Sequence, residues 1–187
     1  MKTKVWMPAA VLLAICVIAT ALVACANAVT KDPIAENQKA AAQATMQKLI
    51  PDAEFTALSA DFGENVTAFK AEQDGKLVGY IFNTLGKGGY GGSLPVTTAL
   101  SAEGAVLGVE VDVSSETPGL GQNAAKASFL DQFKSDASRF VLNKDKTTET
   151  NGVIDAVSGA SKSSRAVTDG VNAAKEAFLK IGGDGNE

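Results

Sequence analysis

The amino-acid sequence predicts an α+β fold, in which a single N-terminal transmembrane helix precedes one domain with a mainly antiparallel sheet packed by helices. Three observations support this prediction. A stretch without charge, between Lys4 and Lys31, is long enough to span a membrane. Alternating apolar residues on both sides of Asp74-Gly75 are typical of antiparallel strands joined by a tight turn. Near the C-terminus, apolar residues recur at helical spacing over residues 167–181.

Length and composition limit the classes of function that the chain can have. Once a membrane segment is subtracted from the 187 residues, one domain of moderate size remains, which can bury a core without crosslinks. The formal net charge is -4 and no basic run occurs, which argues against nucleic acid as a partner. The sequence has no histidine, the commonest metal ligand and general base, and no metal site is predicted.

Residues 1–29 are predicted to be the membrane anchor. As a helix, the apolar run from Trp6 to Ala26 would span about 30 Å, the thickness of the hydrocarbon core of a bilayer. Lys2 and Lys4 precede this run, and the positive-inside tendency therefore keeps the N-terminus in the cytoplasm. We expect a single-pass protein of the cell membrane whose C-terminal domain lies on the extracytoplasmic side.

A signal peptide is the alternative interpretation of the same segment. Residues Leu22-Val23-Ala24-Cys25 resemble a lipobox, in which cleavage before Cys25 leaves a lipidated cysteine. The apolar run is longer than the usual signal-peptide core of roughly 7–15 residues, which favours an uncleaved anchor. In both cases the domain faces away from the cytoplasm and is tethered to the lipid bilayer.

Residues 30–52 are predicted to form a separate connecting helix. Asp32 can cap its start, and Pro33 suits the first helical position, where a missing N–H costs little. The alanine-rich run that follows ends at Pro51-Asp52, because proline cannot continue a helix.

The domain proper is predicted over residues 53–181 and contains two hairpins. The first joins residues 65–71 to residues 76–85 through the Asp-Gly pair, a strong turn signal. The second joins residues 96–100 to residues 106–113, and the clean alternation of its return strand indicates antiparallel pairing.

The last predicted helix follows a short apolar strand, Val153-Ile154, and begins near Ser161. One face of this helix carries five apolar residues spaced three or four apart: Val167, Val171, Ala174, Phe178 and Ile181. The glycine-rich tail, residues 182–187, offers nothing apolar to bury and is predicted to be flexible.

The corner between this strand and this helix is a candidate phosphate site. The first amides of a helix lack intrahelical partners and lie at the positive end of its dipole, where phosphate binds well. Gly159 and Ala160 would let a ligand approach the backbone, and Lys162 or Arg165 could balance its charge. The alternative is that Ser158 or Ser161 simply caps the helix, since serine is a preferred N-cap.

Two glycine-containing loops are further candidates. Residues 86–93 are dense in glycine, which indicates a flexible turn or a close approach of ligand or backbone, and they lack the Gly-Lys-Ser/Thr ending of a P-loop. In residues 114–121, Pro118 fixes one torsion while Gly119 and Gly121 permit close approach. By composition alone, an ordinary turn accounts for this second loop.

Residues 155–161, D-A-V-S-G-A-S, resemble the flavinylation signature D-x-x-(S/T)-G-A-(T/S) of the FMN-binding domain family. That family includes the G subunit of the Rnf complex and the C subunit of the sodium-pumping NADH:quinone reductase. Residues 116–121, E-T-P-G-L-G, and residues 89–94, G-Y-G-G-S-L, resemble two further segments of Rnf G subunits. The shortness of the chain favours the Rnf G subunit. Ser114 stands where that pattern often has histidine, so no imidazole role is carried over.

The resemblance implies a covalent FMN cofactor. In the family, a flavin transferase joins FMN through its phosphate to the hydroxyl of the last residue of the signature, here Ser161. The recognition frame would be Asp155, Ser158, Gly159 and Ala160. Further cofactor-binding residues implied by the resemblance are Lys162, Ser163, Ser164, Glu116, Thr117, Gly119, Leu120, Gly121, Tyr90 and Leu94.

The resemblance also implies the function, a membrane-tethered electron carrier that relays electrons within an Rnf-type ion-translocating ferredoxin:NAD oxidoreductase complex. Its partners would be the other membrane subunits, and a flavin transferase during maturation. Such a chain carries out no complete catalytic cycle by itself. One alternative is a free-standing flavinylated lipoprotein of an extracellular electron-transfer chain. The other is a cofactor-free extracytoplasmic binding domain in which Ser161 is only a helix cap.

Overall fold

A computed structural model describes residues 6–145 and 151–183 of the chain. Its contacts divide the chain into two compact units, Met1–Ala44 and Thr45–Glu187. The first unit consists of most of one long helix. The second contains the last residues of that helix, the sheet and the remaining helices, and it is the unit that holds the candidate site.

Helix α1 runs without interruption from Trp6 to Leu49. The prediction of a separate helix starting at Asp32 is wrong, because α1 continues through Pro33. Pro33 removes only one backbone hydrogen bond from this helix. The run around it is otherwise regular and alanine-rich, and the helix contains no helix-weakening glycine before Pro33. Among the residues that the structure describes, α1 alone is long and apolar enough to cross a membrane, and the large apolar side chains of its first part, such as Leu12 and Val23, are exposed.

The second unit is built around an antiparallel sheet whose strands follow the order of the sequence. The strands are β1 (Glu54–Ala57), β2 (Thr67–Gln73), β3 (Lys76–Gly86), β4 (Leu94–Ser101) and β5 (Val106–Val111). Both predicted hairpins are confirmed by the pairing of β2 with β3 and of β4 with β5. At the tip of the first, Asp74 and Gly75 have φ angles of 49° and 73°, which this pair adopts readily. Strand β1 was not predicted, since its four residues are mostly exposed and show no alternation.

After β5 the chain crosses the end of the sheet in short elements. Three 3-10 turns, Gly121–Ala125, Asp131–Phe133 and Asn143–Asp145, alternate with helix α2 (Ala127–Leu130) and strand β6 (Val141–Leu142). Strand β7 (Val153–Ile154) pairs with β6 in parallel and leads into helix α3 (Ser161–Gly183). The predicted start of the last helix and its short entering strand are therefore confirmed, and the predicted tail beyond Gly183 lies outside the described residues.

Helix α3 covers one face of the sheet. All five of its predicted apolar positions pack into the main core, together with Phe82, Leu94, Val96 and Leu100 of the sheet. On the opposite face, Met46 at the end of α1 packs with Ile81 and Ala99. The predicted α+β fold is thus confirmed, with the sheet between α3 and the last residues of α1.

Helix α3 lies close enough to the sheet to be fixed by direct backbone contact. A Cβ atom on Gly86, the last residue of β3, would lie only 2.0 Å from the carbonyl oxygen of Ala166. One turn further along, the buried Thr84 hydroxyl donates a hydrogen bond of 2.9 Å to the carbonyl of Gly170. These contacts place the first turn of α3 beside the loop that joins β3 to β4.

Candidate functional site

The turn between β7 and α3 is held to the helix by Ser164. The N–H of Val157 donates to the Ser164 hydroxyl at 2.9 Å, and this hydroxyl donates to the carbonyl of Ala160 at 3.0 Å. The first α-helical backbone bond runs from the N–H of Ser164 to the carbonyl of Ala160. The amides of residues 161–163 precede this bond and have no acceptor within the helix. They are therefore the free N-terminal amides of a 23-residue helix.

A cleft of about 460 Å³ opens beside this turn. Three segments line it: the glycine-rich loop, the loop after β5 and the start of α3. The lining residues are Tyr90, Glu116, Thr117, Leu120, Gly121, Gly159, Ala160, Ser161, Lys162 and Ser163. Every one of them belongs to the set of cofactor-binding residues predicted from the sequence. The fold therefore brings together residues that lie up to 73 positions apart, from Tyr90 to Ser163.

Glu116 is the buried centre of the cleft, with a fractional exposure of only 3%. Its Oε2 atom accepts a hydrogen bond of 2.7 Å from the Ser163 hydroxyl. Its Oε1 atom accepts one of 3.2 Å from the N–H of Gly91 in the glycine-rich loop. A single carboxylate therefore links all three segments that form the cleft.

The outer walls of the cleft are apolar and open to solvent. Tyr90 is 75% exposed and Leu120 is 48% exposed, although both are large hydrophobic side chains. Leu120 lies over the turn, where its Cδ2 atom is 3.1 Å from the position that a Cβ atom of Gly159 would take. Exposed apolar side chains around a cleft are typical of a site for a largely apolar ligand.

A second recess, of about 570 Å³, lies on the other side of Ser161. Its wall includes Asp155 and Ser158, and Gly159 and Ser161 border both recesses. The Asp155 carboxylate accepts a hydrogen bond of 2.9 Å from the side-chain amide of Asn143. The predicted recognition frame is therefore divided, since Asp155 and Ser158 line the second recess and not the apolar cleft.

Asn143 lines this second recess and Gln132 binds the backbone of Asp155, and neither residue was predicted from the sequence. The Gln132 side chain accepts from the N–H of Asp155 at 2.8 Å and donates to its carbonyl at 3.3 Å. Gln132 and Asn143 precede Asp155 by 23 and 12 residues, and no motif contains them. Gln132 lies in the 3-10 turn Asp131–Phe133 and Asn143 in the 3-10 turn Asn143–Asp145, and only their hydrogen bonds to Asp155 reveal their position at the site.

Three predicted residues line neither recess. Leu94 is fully buried in the main core. Ser164 is also buried, and its hydroxyl accepts a hydrogen bond from the N–H of Val157 in the turn. Gly119 has a φ of +76° and shapes the loop after β5. Leu94 and Ser164 therefore support the walls of the site from behind, whereas Gly119 is exposed in its loop.

The two cations proposed to balance a phosphate are placed differently. Lys162 is exposed and lines the cleft. Arg165 donates to both carboxylate oxygens of Asp145, at 2.7 and 2.8 Å, and this pairing raises the pKa of its guanidinium. Lys162 is therefore the cation available to the cleft. Among the described residues, no group of three or more Cys, Asp or Glu side chains could hold a metal ion.

Comparison with known proteins gives two family matches. Residues 89–176 match the FMN-binding domain family, and residues 1–49 match the RnfG N-terminal region. The first match contains all ten residues that line the apolar cleft.

Curated relatives agree with both matches. The chain is 32% identical to the G subunit of the Na(+)-translocating ferredoxin:NAD(+) oxidoreductase complex of Acetobacterium woodii, over 91% of this chain and 90% of the relative. It is 33% identical to the G subunit of the proton-translocating ferredoxin:NAD(+) oxidoreductase complex of Clostridium ljungdahlii, over 86% of this chain and 84% of the relative. The G subunit of an ion-translocating oxidoreductase complex of Shewanella loihica is 30% identical, over 89% of this chain and 85% of the relative.

A solved structure shares the fold of the second unit. The crystal structure of the C subunit of the Na(+)-translocating NADH-quinone reductase from Parabacteroides distasonis superposes with a TM-score of 0.52. The two chains are 22% identical, and the match covers 62% of each. The family matches and the curated relatives show that this chain belongs to the family of Rnf G subunits and contains the FMN-binding domain of that family.

Proposed function

We propose that this chain is a membrane-tethered electron-transfer subunit of an Rnf-type ion-translocating ferredoxin:NAD oxidoreductase complex. It would carry FMN bound covalently, as a phosphoester to Ser161. The observation that carries this proposal is the position of Ser161, which is the first residue of α3 and borders an apolar cleft formed by both predicted motifs.

The residues of the cleft fit a flavin mononucleotide in three respects. The volume of about 460 Å³ lies within the range of ordinary ligand pockets. The free amides of residues 161–163 and the exposed Lys162 provide a favourable environment for a phosphate. Tyr90 and Leu120 offer apolar surfaces to a planar ring system.

Attachment requires a flavin dinucleotide as the donor, and a flavin transferase as the enzyme. The Ser161 oxygen would form a bond to the phosphorus on the FMN side of the pyrophosphate, and the bond from that phosphorus to the AMP oxygen would break. The hydroxyl proton would pass to a base of the transferase, and AMP would leave. Asp155 and Ser158 line the second recess, and we assign to them contact with the transferase, since they are not part of the lining of the apolar cleft.

A bound flavin supplies one- and two-electron chemistry, and the protein determines its position, its surroundings and its access to water. In this chain, Tyr90 and Leu120 would shield the ring system, and Lys162 would balance the charge of the phosphoester. A covalent link prevents loss of the cofactor on the extracytoplasmic side of the membrane. The other membrane subunits of the complex would donate and accept the electrons.

Substitution of Ser161 tests this proposal. We expect Ser161→Ala to remove covalent flavin from the chain, because the acceptor oxygen is lost while the turn remains held by Ser164. Ser161→Thr is the matched control and should remain flavinylated, since it keeps the same oxygen. In-gel flavin fluorescence of denatured full-length protein, produced with a flavin transferase, measures the outcome.

Two results would contradict the proposal. One is a dark band for the unaltered chain in a host that possesses a flavin transferase, which would favour a cofactor-free binding domain. The other is undiminished fluorescence of the Ser161→Ala variant, which would place the flavin on another residue. Loss of a helix cap costs only about 1 kcal/mol, and the variant should therefore stay folded.

A further inference from the structure

Glu116 has a place in the site that flavin contact alone does not explain. Both of its carboxylate oxygens accept hydrogen bonds from the protein itself, Oε2 from the Ser163 hydroxyl and Oε1 from the N–H of Gly91. With 3% of its surface exposed, the side chain is also almost completely removed from water. A buried carboxylate is costly unless its oxygens are hydrogen-bonded, and here the protein supplies both partners.

Two glycines make room for this carboxylate. A Cβ atom on Gly121 would lie 2.1 Å from Oε2 of Glu116 and 2.8 Å from the Ser163 hydroxyl. A Cβ atom on Gly89 would lie 2.7 Å from Oε1. The glycines of the two motifs therefore accommodate the Glu116 side chain, rather than only a close approach of cofactor to backbone.

We propose that Glu116 is a positioning residue for flavin attachment: it clamps the glycine-rich loop to the first turn of α3 and so sets the position of Ser161 relative to the cleft. This inference rests on the proposed function of Ser161. Ser163 lies in the same helical turn as Ser161, two residues later, and the clamp holds that turn through the Ser163 hydroxyl. A displacement of about 1 Å can slow a reaction roughly a hundredfold, which makes such a clamp measurable.

The clamp acts through hydrogen-bond geometry, and this distinguishes it from a role of the negative charge. A glutamine at position 116 could accept from the N–H of Gly91 through its oxygen. Its amide could then donate to the Ser163 hydroxyl, which can serve as either donor or acceptor. Glutamine therefore preserves both links without the charge, whereas alanine removes both.

The test measures the rate of covalent flavin incorporation into the full-length, detergent-solubilised chain. The probes are FAD, Mg²⁺ and a purified flavin transferase, and the mass increase of the chain is followed with time. We expect Glu116→Ala to slow incorporation about tenfold to a hundredfold. Glu116→Gln should stay within about threefold of the unaltered chain, because neutral hydrogen bonds are weaker than charged ones but keep the geometry.

Glu103→Gln is the matched control. Glu103 also accepts a serine hydroxyl, that of Ser101 at 2.9 Å, but it is exposed in the turn between β4 and β5 at the far end of the sheet. Its substitution should leave the rate unchanged. Amide hydrogen exchange of the unmodified variants provides a second readout, since Glu116→Ala should speed exchange at residues 89–92 and leave that of the β2–β3 hairpin unaltered.

Three results would overturn the inference: incorporation into Glu116→Ala at the unaltered rate, a Glu116→Gln variant as slow as Glu116→Ala, or unchanged exchange at residues 89–92. Should Glu116→Ala fail to fold, Ser163→Ala carries the same test, because it removes one link and only one oxygen atom. We expect this variant to incorporate flavin about tenfold more slowly, and an unchanged rate would also overturn the clamp. If the unaltered chain itself takes up no flavin, the proposed function fails, and not merely the role of Glu116.

Discussion

At the scale of single residues, several buried polar side chains of the second unit bind backbone carbonyls. The Thr84 hydroxyl donates to the carbonyl of Gly170, and the Thr168 hydroxyl donates to that of Ser164. The buried Lys175 ammonium donates to the carbonyl of Gly104 at 2.7 Å. The Thr168 bond lies within α3, whereas the Thr84 and Lys175 bonds hold α3 to β3 and to the turn between β4 and β5. Each of these buried side-chain donors requires such an acceptor, because a buried polar group left unpaired costs about 1–3 kcal/mol.

Because of Lys175, the free energy of unfolding should depend on pH in the alkaline range. Burial lowers the pKa of its ammonium from the usual 10.5, and the nearby carboxylate of Asp136 opposes this only in part. The unfolded chain therefore binds the proton more tightly than the folded chain does. As the pH rises through the lowered pKa towards 10.5, the free energy of unfolding should increase.

Denaturant unfolding at a series of alkaline pH values measures this effect in the full-length chain in detergent. Near-ultraviolet circular dichroism is a suitable signal, since Tyr80 packs edge-on against Phe178 of α3. The increase should disappear in Lys175→Met, which has no proton to release. An identical pH slope in the variant would show that another group is responsible.

At the scale of elements, the irregular chain between β5 and α3 is held by its contacts with both of these elements. Phe129, Phe133 and Phe140 stack edge-on in the core below the helix, with ring centroids 5.2 and 5.4 Å apart. The pairing of β6 with β7 adds only two residues on each strand. Because so short a pair is not stable alone, the position of the turn before Ser161 depends on side-chain anchors from α3.

Asn172 is the anchor whose loss should be most visible. Its side chain accepts from the N–H of Phe140 and donates to the carbonyl of Phe140, both at 2.8 Å, in a buried setting. Asn172→Ala would leave two buried backbone groups unpaired, and we expect it to lower the free energy of unfolding by about 2–5 kcal/mol. Thermal or denaturant unfolding of the full-length chain measures the change.

Arg139→Ala is the control for this substitution. Arg139 neighbours Phe140, but its side chain is exposed and lies 4.0 Å from Glu176 in a surface ion pair. Such pairs contribute roughly 0–1 kcal/mol, and the variant should unfold almost as the unaltered chain does. Equal effects of the two substitutions would mean that Asn172 is not a specific anchor.

At the scale of the whole molecule, the chain combines a long apolar helix with a domain that carries the candidate cofactor site. Both parts belong to the family, since the family matches cover residues 1–49 and 89–176. We expect this arrangement to keep an electron carrier at the membrane, where its proposed partners are.

The mode of tethering can be tested at Cys25, which lies exposed on α1 and ends the lipobox-like segment. If α1 is an uncleaved anchor, Cys25→Ser should remain in the membrane fraction after alkaline carbonate washing, with an unchanged N-terminal peptide by mass spectrometry. A diacylglyceryl group on Cys25 in the unaltered chain, or release of the variant into the soluble fraction, would instead support the flavinylated lipoprotein.

Local signals in the sequence were enough to predict much of the fold. The charge-free run and the helical spacing of residues 167–181 each lie within one helix, and the Asp-Gly pair joins two strands that are neighbours in the sequence. These helices and this hairpin form where expected. The prediction at Asp32 and Pro33 failed because capping and proline signals act locally, whereas a helix continues when its flanking residues favour it. Strand β1 was missed because its pairing with β2, rather than any pattern of its own, determines it.

The sequence by itself determined a set of candidate residues, and all ten residues that line the apolar cleft lie within its motifs or directly after the last of them. Only the tertiary structure decided how these residues are arranged: Glu116 turned inward to Ser163 and Gly91, Asp155 on the opposite side of Ser161, and Gln132 behind it. The physical reason is that a motif consists of residues that are close together along the chain. The direction of each side chain depends on hydrogen-bond partners 23 to 47 residues away, which only folding brings into contact.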